Sequence, residues 1–140
     1  MAGYSGTPLV KKLGIKPGCR LAILQAPDDF DATLGELPGQ VAVVRQLRTP
    51  CDVLLFFTKK RAELEKQFMR LMQNLDPVGG LWISWPKKAS GVATDLTEDV
   101  IRELALANGL VDNKVCAIDE TWSGLRLVVR VKDRPKKAHG

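Results

Sequence analysis

The chain has 140 residues, 45% of them hydrophobic, which suffices for one domain with a buried core that needs neither a metal nor a disulfide. No apolar run approaches the roughly 20 residues of a membrane helix, and residues 1–8 lack the basic and apolar parts of an export signal, so we expect a cytoplasmic protein without membrane contact. The net charge of +5 comes largely from residues 132–140, with four basic residues and one acidic, so it gives little support to nucleic-acid binding.

Residues 1–57 contain signals for three strands and two short helical segments. Apolar or β-branched runs are separated by Gly, Pro and acidic residues, which is typical of short elements joined by tight turns. The run at 52–57 is apolar after its first residue, which favours a strand covered on both faces. In chain order we predict a flexible arm at 1–8, a helical turn at 9–13, a strand at 20–25, a short helix at 28–37, and strands at 40–47 and 52–57.

The clearest element is an amphipathic helix in the middle of the chain. Its apolar residues recur at helical spacing and form one stripe, so we predict that this stripe is buried. Pro77 and the pair Gly79–Gly80 are predicted to end the helix. The stripe consists of Leu64, Phe68, Leu71, Met72 and Leu75.

The last third of the chain predicts one more helix and three strands. Asp95 and Glu98 have the spacing of a capping box, which predicts a helix start at Asp95. The last two strands are joined by only five residues, and so short a connection permits only an antiparallel hairpin. The predicted elements are a strand at 80–85, a polar loop at 86–94, a helix at 95–108, and strands at 114–119 and 125–131.

The alternation of strands and helices predicts a mostly parallel sheet with helices on both faces. The closing hairpin adds an antiparallel strand. The expected fold is therefore α/β, a small Rossmann-like three-layer sandwich that forms a single domain over residues 1–131. Residues 132–140 are expected to form a basic disordered tail.

From residue 50 onward the sequence resembles the second half of class I methyltransferase domains. The likeness lies in the strand at 52–55, the amphipathic helix and the stretch Leu75-Asp76-Pro77-Val78-Gly79-Gly80-Leu81-Trp82-Ile83. That stretch is similar to an L-x-P-x-G-G turn and strand late in those domains. The resemblance covers about 80 residues and implies a shared architecture.

The resemblance does not extend to the cofactor turn of the methyltransferases. Those enzymes have glycines after their first strand, where the backbone approaches S-adenosylmethionine. Here residues 25–30 read Gln-Ala-Pro-Asp-Asp-Phe, without a glycine, and Pro27 has no amide N–H to donate. We therefore expect no tight binding of S-adenosylmethionine and assign no cofactor.

Nearly the whole chain resembles a bacterial family of domains of unknown function. The segments that carry this resemblance lie at 2–9, 85–91, 95–97 and 111–116. It supports a single domain and implies no particular activity.

Composition excludes several common kinds of catalytic site. His139 is the only histidine, which argues against Ser–His and Cys–His catalysis and against a histidine-based zinc site, so we expect no metal. Neither the GxxxxGK[ST] nor the GxGxxG phosphate-binding motif is present. Cys19, Cys51 and Cys116 are widely spaced, which predicts buried or half-buried free thiols.

The best candidate for a binding site is the loop at 86–94, which follows a predicted central strand. Ligands of open α/β sheets bind at that edge, and the start of the next helix would offer free amides to an anion. The alternative is a solvated loop in which Asp95 occupies those amides. The candidate ligand-binding residues in the loop are Lys87, Lys88, Ser90, Gly91 and Thr94.

Two turns offer weaker candidates. Trp122, in the hairpin turn, would either stack on a ligand or a partner, or fold back over the core. Asp28, Asp29 and Asp31 would either act as general bases or cation ligands, or form a solvated turn. If the strand at 114–119 runs parallel to the sheet, Trp122 and the loop at 86–94 lie at one end and enclose one pocket.

Three functions remain open. We favour a domain that binds a small anionic ligand or a protein partner rather than catalysing a reaction. The first alternative is a reduced methyltransferase-like enzyme with an adenosyl-type ligand. The second is weak nucleic-acid binding through the basic tail, although the chain lacks the interleaved aromatic and basic face of such modules.

Overall fold

The computed structural model describes residues 7–135. The strands are β1 (Arg20–Leu24), β2 (Ala42–Val44), β3 (Cys51–Phe57), β4 (Leu75–Pro86), β5 (Leu110–Ala117) and β6 (Trp122–Val129). The helices are α1 (Leu9–Lys12), α2 (Phe30–Leu34), α3 (Arg61–Gln73) and α4 (Glu98–Ala107), with 3-10 turns at Lys88–Ser90 and Val131–Asp133. In this part of the chain, no helix is long and apolar enough to cross a membrane.

The strand directions confirm the predicted fold class. The sheet has the order β2-β1-β3-β4-β6-β5, in which β1 to β4 are mutually parallel and β6 is antiparallel to both β4 and β5. β5 therefore runs in the same direction as the first four strands. Because the chain extends from β1 outwards to β2 and from β3 outwards to β4, β1 and β3 flank the topological switch point of the sheet. Open α/β sheets bind ligands at this position.

Two apolar cores cover the two faces of the sheet, as a three-layer sandwich requires. One contains the buried sides of α3 and α4, and the other contains residues of α1 and α2. Phe68 of α3 is 2% exposed, so the burial predicted from periodicity is confirmed. Trp82 of β4 is fully buried, and its indole Nε1 donates to the carbonyl of Leu13 at 3.0 Å, which fixes the segment after α1 to the sheet.

The prediction that Pro77 and the glycine pair end the central helix was wrong. The helix ends instead at Asn74, whose side-chain amide donates to the Arg70 carbonyl at 2.9 Å. Leu75 is a strand residue that pairs with Cys51, not part of the helical stripe. The register of the β3–β4 pair shifts after this point, and such an irregularity tolerates a proline, so Pro77 lies inside β4.

The cap predicted for the last helix was also wrong. Thr97 caps α4, because its Oγ1 accepts a hydrogen bond from the Val100 amide at 3.1 Å. Asp95 lies outside the helix, and its Oδ1 accepts from the amide of Arg61 at 2.7 Å. Asp95 therefore satisfies an amide at the start of α3, a contact that no local spacing indicates.

The remaining boundaries differ by a few residues. The elements predicted at 28–37 and 40–47 shrink to α2 and β2, and both hairpin strands lie nearer the N-terminus than predicted. Asp119 tightens the hairpin turn, because its Oδ1 accepts from the amides of Thr121 and Trp122 at 2.8 and 2.7 Å. Trp122 thereby becomes the first residue of β6 rather than a loop residue.

The start of the predicted tail is folded against the sheet. Residues Val131–Asp133 form a 3-10 turn, and Nε of Arg134 donates to the Val129 carbonyl at 3.2 Å. At the other end, the Pro8 carbonyl accepts from two amides of the first helical turn. Residues 1–6 of the predicted arm and 136–140 of the predicted tail lie outside the described residues.

Candidate functional site

A crevice of about 540 Å³ opens at the carboxyl ends of β1 and β3, at the switch point of the sheet. We call it the switch-point crevice. Its size falls within the range of small-molecule sites, which runs from roughly 300 to 1,000 Å³. Its lining residues are Gln25, Pro27, Phe57, Thr58, Lys59, Lys60, Glu63, Val92, Thr121 and Trp122.

The turn after β1 forms one wall of the crevice. Gln25 adopts a left-handed backbone conformation with φ of 59°, which is uncommon for a residue other than glycine. Its side-chain Nε2 donates to the Phe57 carbonyl at 2.9 Å and to Oε1 of Glu63 at 3.2 Å. The side chain therefore bridges β1 and the start of α3 across the space that separates the two strand ends.

Glu63 lies at the centre of this hydrogen-bond network. The hydroxyl of Thr58 donates to Glu63 Oε1, the same oxygen that accepts from Gln25. Thr58 in turn accepts from the Lys60 amide at 3.2 Å, and its own amide donates to the Ser84 carbonyl at 3.0 Å. These hydrogen bonds hold the Glu63 carboxylate in one position, where it forms part of the wall of the crevice.

Lys59 and Lys60 supply positive charge at the mouth of the crevice. Both residues are exposed, and neither ammonium group has a hydrogen-bond or ion-pair partner among the described residues. The pair lies just after the strand that the sequence predicts at 52–57, separated from it by Thr58. Because ligands of open α/β sheets bind at the carboxyl ends of the strands, the position of the two lysines after β3 is the sequence signal that indicates them.

The loop at 86–94 contributes one residue to the crevice, and its polar groups serve mainly to hold its shape. Ser90 Oγ donates to the Lys87 carbonyl at 2.7 Å and accepts from the Val92 amide at 3.2 Å. Thr94 Oγ1 donates to the Lys59 carbonyl at 2.6 Å. Val92 is the residue of this loop that lines the crevice.

The structure therefore separates the predicted site residues into two groups. Trp122 lines the crevice, whereas the five predicted site residues of the loop at 86–94 lie outside its lining. The amide of Lys87 donates to the Thr121 carbonyl at 2.8 Å, which ties the loop to the hairpin turn at the same edge of the sheet. The loop residues outside the lining are Lys87, Lys88, Ser90, Gly91 and Thr94.

Trp122 folds back over the core, which is one of the two alternatives predicted for it from the sequence. Its ring lies edge-to-face against Phe57, with 5.3 Å between the ring centroids, and Phe57 contacts Phe30 in the same way at 4.9 Å. Trp122 therefore covers the core between the sheet and α2. It is only half-buried, and its remaining surface faces the crevice.

The acidic turn and the cysteines do not form a site with these residues. Asp31 forms an exposed ion pair with Arg45 at 3.2 Å, and no cluster of His, Cys, Asp or Glu between residues 7 and 135 could hold a metal ion. The three thiols are free, as predicted. Burial raises the pKa of Cys51 and of Cys116, which keeps both thiols protonated and weakly nucleophilic at neutral pH.

Comparison with known proteins confirms the resemblance to a family of unknown function. The family described as "Protein of unknown function (DUF3052)" matches residues 10–131. The chain belongs to the DUF3052 family. No curated protein sequence matches it at a significant level.

Three solved structures with similar folds are described as methyltransferases or a methylase. A "putative type 11 methyltransferase" from Sulfolobus solfataricus aligns with 94% of this chain and 95% of its own, at 11% identity and a TM-score of 0.60. Magnesium protoporphyrin IX methyltransferase from Synechocystis PCC 6803, with bound SAM, aligns with 86% of this chain and 74% of its own, at 13% identity and a TM-score of 0.55. Ribosomal protein L11 methylase from Lactobacillus delbrueckii subsp. bulgaricus aligns with 86% of this chain and 74% of its own, at 12% identity and a TM-score of 0.53.

These likenesses show a shared fold, which confirms the architecture implied by the sequence. Within that fold, the turn after β1 of this DUF3052 protein contains Gln25, Ala26 and Pro27. Pro27 offers no amide, and the Gln25 side chain fills part of the space beside it. The turn that the sequence singled out as unusual thus contains side chains where a glycine-lined turn has none, while Gln25 has a left-handed backbone with φ of 59°.

Proposed function

We propose that this protein binds a small anionic ligand in the switch-point crevice and does not catalyse methyl transfer. The observation that carries the proposal is the pair Lys59 and Lys60, two lysines without an ionic partner among the described residues, at the position where α/β sheets bind ligands. Two such cations attract a phosphate or carboxylate group.

The ligand has a flat, apolar part in addition to its anionic group. Trp122 and Phe57 give the crevice an aromatic wall, and aromatic rings bind flat groups by stacking or edge contact. The residues of the loop at 86–94 position this wall. Ser90 and Thr94 hold the loop in shape, while Lys87 and Lys88 add positive charge at the same edge.

Methyl transfer from an adenosyl cofactor is the alternative, and the fold likeness to a methyltransferase crystallised with SAM supports it. The wall of the crevice argues against it. Gln25 occupies space between β1 and β3, and Glu63 is engaged by two donors, so neither is free to act on a cofactor. We therefore expect S-adenosylmethionine to bind weakly or not at all.

Titration calorimetry with adenosine monophosphate tests the proposal, because this probe has a flat ring for Trp122 and a phosphate for the lysines. We expect the Lys59→Gln/Lys60→Gln variant to bind it about five- to tenfold more weakly, since two charge contacts are lost. Adenosine, which has no phosphate, should bind the wild type and this variant equally.

The matched control is Lys66→Gln/Arg70→Gln, which removes the same charge from exposed positions of α3 outside the crevice. Its affinity for adenosine monophosphate should equal that of the wild type. Equal weakening in both variants would refute the proposed site. Tighter binding of S-adenosylmethionine than of adenosine monophosphate would favour the methyltransferase alternative.

A further inference from the structure

A second and larger cleft, of about 610 Å³, lies at the opposite edge of the sheet. We call it the basic cleft, because its charged residues are five cations and one carboxylate. It lies between the segment that links α1 to β1, the first residues of β3 and β4, and the hairpin β5–β6. Its charged residues are Lys11, Lys12, Lys16, Lys114, Arg126 and Asp52.

The cations of the basic cleft come from distant parts of the chain. Lys11 and Lys12 end α1, while Lys114 projects from β5. Lys12 and Lys114, which belong to different elements, both line the cleft. The fold therefore concentrates charges that the sequence spreads over more than a hundred residues, from 11 to 126.

Arg126 is a partly buried cation of the cleft and forms no ion pair among the described residues. Its guanidinium lies across β4 over Gly80, where a Cβ atom would be only 2.3 Å from Arg126 Nε. Among the described residues its hydrogen-bond partner is Asn113 Oδ1, at a long 3.4 Å. Burial and the neighbouring Arg134 lower the pKa of Arg126. A partly buried guanidinium without a carboxylate beside it is costly, and an anion would offset that cost.

The single carboxylate of the cleft does not neutralise these cations. Asp52 Oδ2 accepts from the backbone amide of Arg20 at 2.8 Å, and the carboxylate forms no ion pair with the cleft lysines or Arg126 within residues 7–135. The lining of the cleft also includes small residues, among them Gly79, whose backbone packs closely against β3. The cleft thus presents charge on its walls and room between them.

No aromatic side chain lines the basic cleft among the described residues, so it has no surface on which a nucleobase would stack. Its five cations fit a ligand that carries several linked anionic groups and no aromatic ring, with one or two cations paired to each anionic group. We propose that the basic cleft is a second binding site, independent of the switch-point crevice, and that it takes a small multivalent anion of the oligophosphate class.

Titration calorimetry of the full-length protein with inorganic tripolyphosphate at low ionic strength tests the proposal. The wild type should bind one tripolyphosphate, and the affinity should fall as salt is added. The variant Lys12→Gln/Lys114→Gln should bind about five- to tenfold more weakly, because two charge contacts are lost. The control Lys66→Gln/Arg70→Gln, with the same net charge, should bind like the wild type.

NMR spectra of the wild-type protein provide a second readout that needs no variant. Tripolyphosphate should shift the backbone amide signals of Gly14, Gly18 and Gly79, which line the basic cleft. Signals of Thr58 and Lys59 in the switch-point crevice should stay in place.

Three results would overturn the proposal. The first is that tripolyphosphate does not bind the wild type. The second is that its affinity falls equally in the cleft variant and in the control. The third is that its affinity falls only in Lys59→Gln/Lys60→Gln. The last result would leave the proposed function standing, because it assigns the anion to the switch-point crevice. Loss of adenosine monophosphate binding in that variant, with tripolyphosphate binding intact, supports both sites separately.

Discussion

The two edges of the sheet differ in how many of their polar groups are paired. At the carboxyl edge, Glu63 accepts hydrogen bonds from Thr58 and Gln25, and this paired network lies beside the ammonium groups of Lys59 and Lys60, which have no partner among the described residues. At the amino edge, counting residues 7–135, the cations of the basic cleft face a single carboxylate, and Arg126 has one long hydrogen bond. A satisfied network gives a site a fixed shape, whereas unpaired charge gives it attraction for an oppositely charged ligand.

The largest effect should come from the core on which both edges depend. Phe68→Ala should lower the free energy of unfolding by about 3–5 kcal/mol, because it leaves a cavity where a nearly fully buried ring was. Urea unfolding measures the change. Met69→Ala, at the neighbouring position that is 58% exposed, should change stability by at most about 0.5 kcal/mol. Similar losses in the two variants would contradict the described packing of α3.

Gly79→Ala tests the close approach of β3 and β4 under the basic cleft. A Cβ atom at this position would lie 2.5 Å from the backbone carbonyl oxygen of Asp52, so the two strands must move apart. We expect a loss of about 1–3 kcal/mol in unfolding free energy, as for other overpacked sites. Gly39→Ala is the matched control, because a Cβ atom there meets nothing within 4 Å. Thermal unfolding that ranks the two variants equally would show that the strands are not in contact here.

Two serines near the carboxyl edge provide a smaller test of hydrogen-bond satisfaction. Ser90→Ala removes two hydrogen bonds that shape the loop and should cost about 1 kcal/mol. Ser84 is fully buried, and its hydroxyl has no hydrogen-bond partner among the described residues, so Ser84→Ala should be neutral or stabilising. Differential scanning calorimetry measures both. A clear loss in Ser84→Ala would reveal a partner for that hydroxyl, such as a bound water.

The smallest effect should be the contribution of the buried thiols to stability at high pH. Burial raises the pKa of Cys51 and Cys116 above the ordinary value of 9.0, partly offset at Cys116 by Lys12 and Lys114. The thiols of the unfolded chain therefore ionise first. The stabilisation is fully present below pH 9.0 and is lost as the pH rises through the higher pKa values of the folded state.

The comparison needed is the unfolding free energy of the wild type and of Cys51→Ala/Cys116→Ala at about pH 8 and at about pH 10. The wild type should lose more stability over this range than the variant. An equal loss would mean that other groups, such as lysines, account for the whole pH dependence.

The sequence predicts the framework of the protein well because the framework follows local patterns. The helical spacing of Leu64 and Phe68 identifies α3 and its buried side, and the apolar run at 52–57 identifies the central strand. The sequence-based predictions are wrong where contacts between distant residues determine the local structure. Leu75 is a strand residue because Cys51 pairs with it, and Asp95 bonds to α3 rather than capping the helix that follows it.

The candidate site shows the same division. The carboxyl edge and Trp122 follow from the alternation of strands and helices and from the positions of the turns, both of which are visible in the sequence. Gln25 and Glu63 were missed, because they are 38 residues apart and neither belongs to a motif. The basic cleft was missed for the same reason, since its lysines belong to separate elements that meet only in the folded sheet.

The side chain of Gln25 lines the crevice and makes hydrogen bonds to groups that would otherwise be open to a ligand. Its amide makes two hydrogen bonds there, to the Phe57 carbonyl and to Glu63, and its backbone already has the φ of 59° that glycine adopts without strain. A glycine at position 25 would keep the turn and leave two acceptors exposed to any incoming amine or hydroxyl group. The Gln25 side chain therefore occupies two acceptors at the wall of the crevice, and Gln25→Gly would free them.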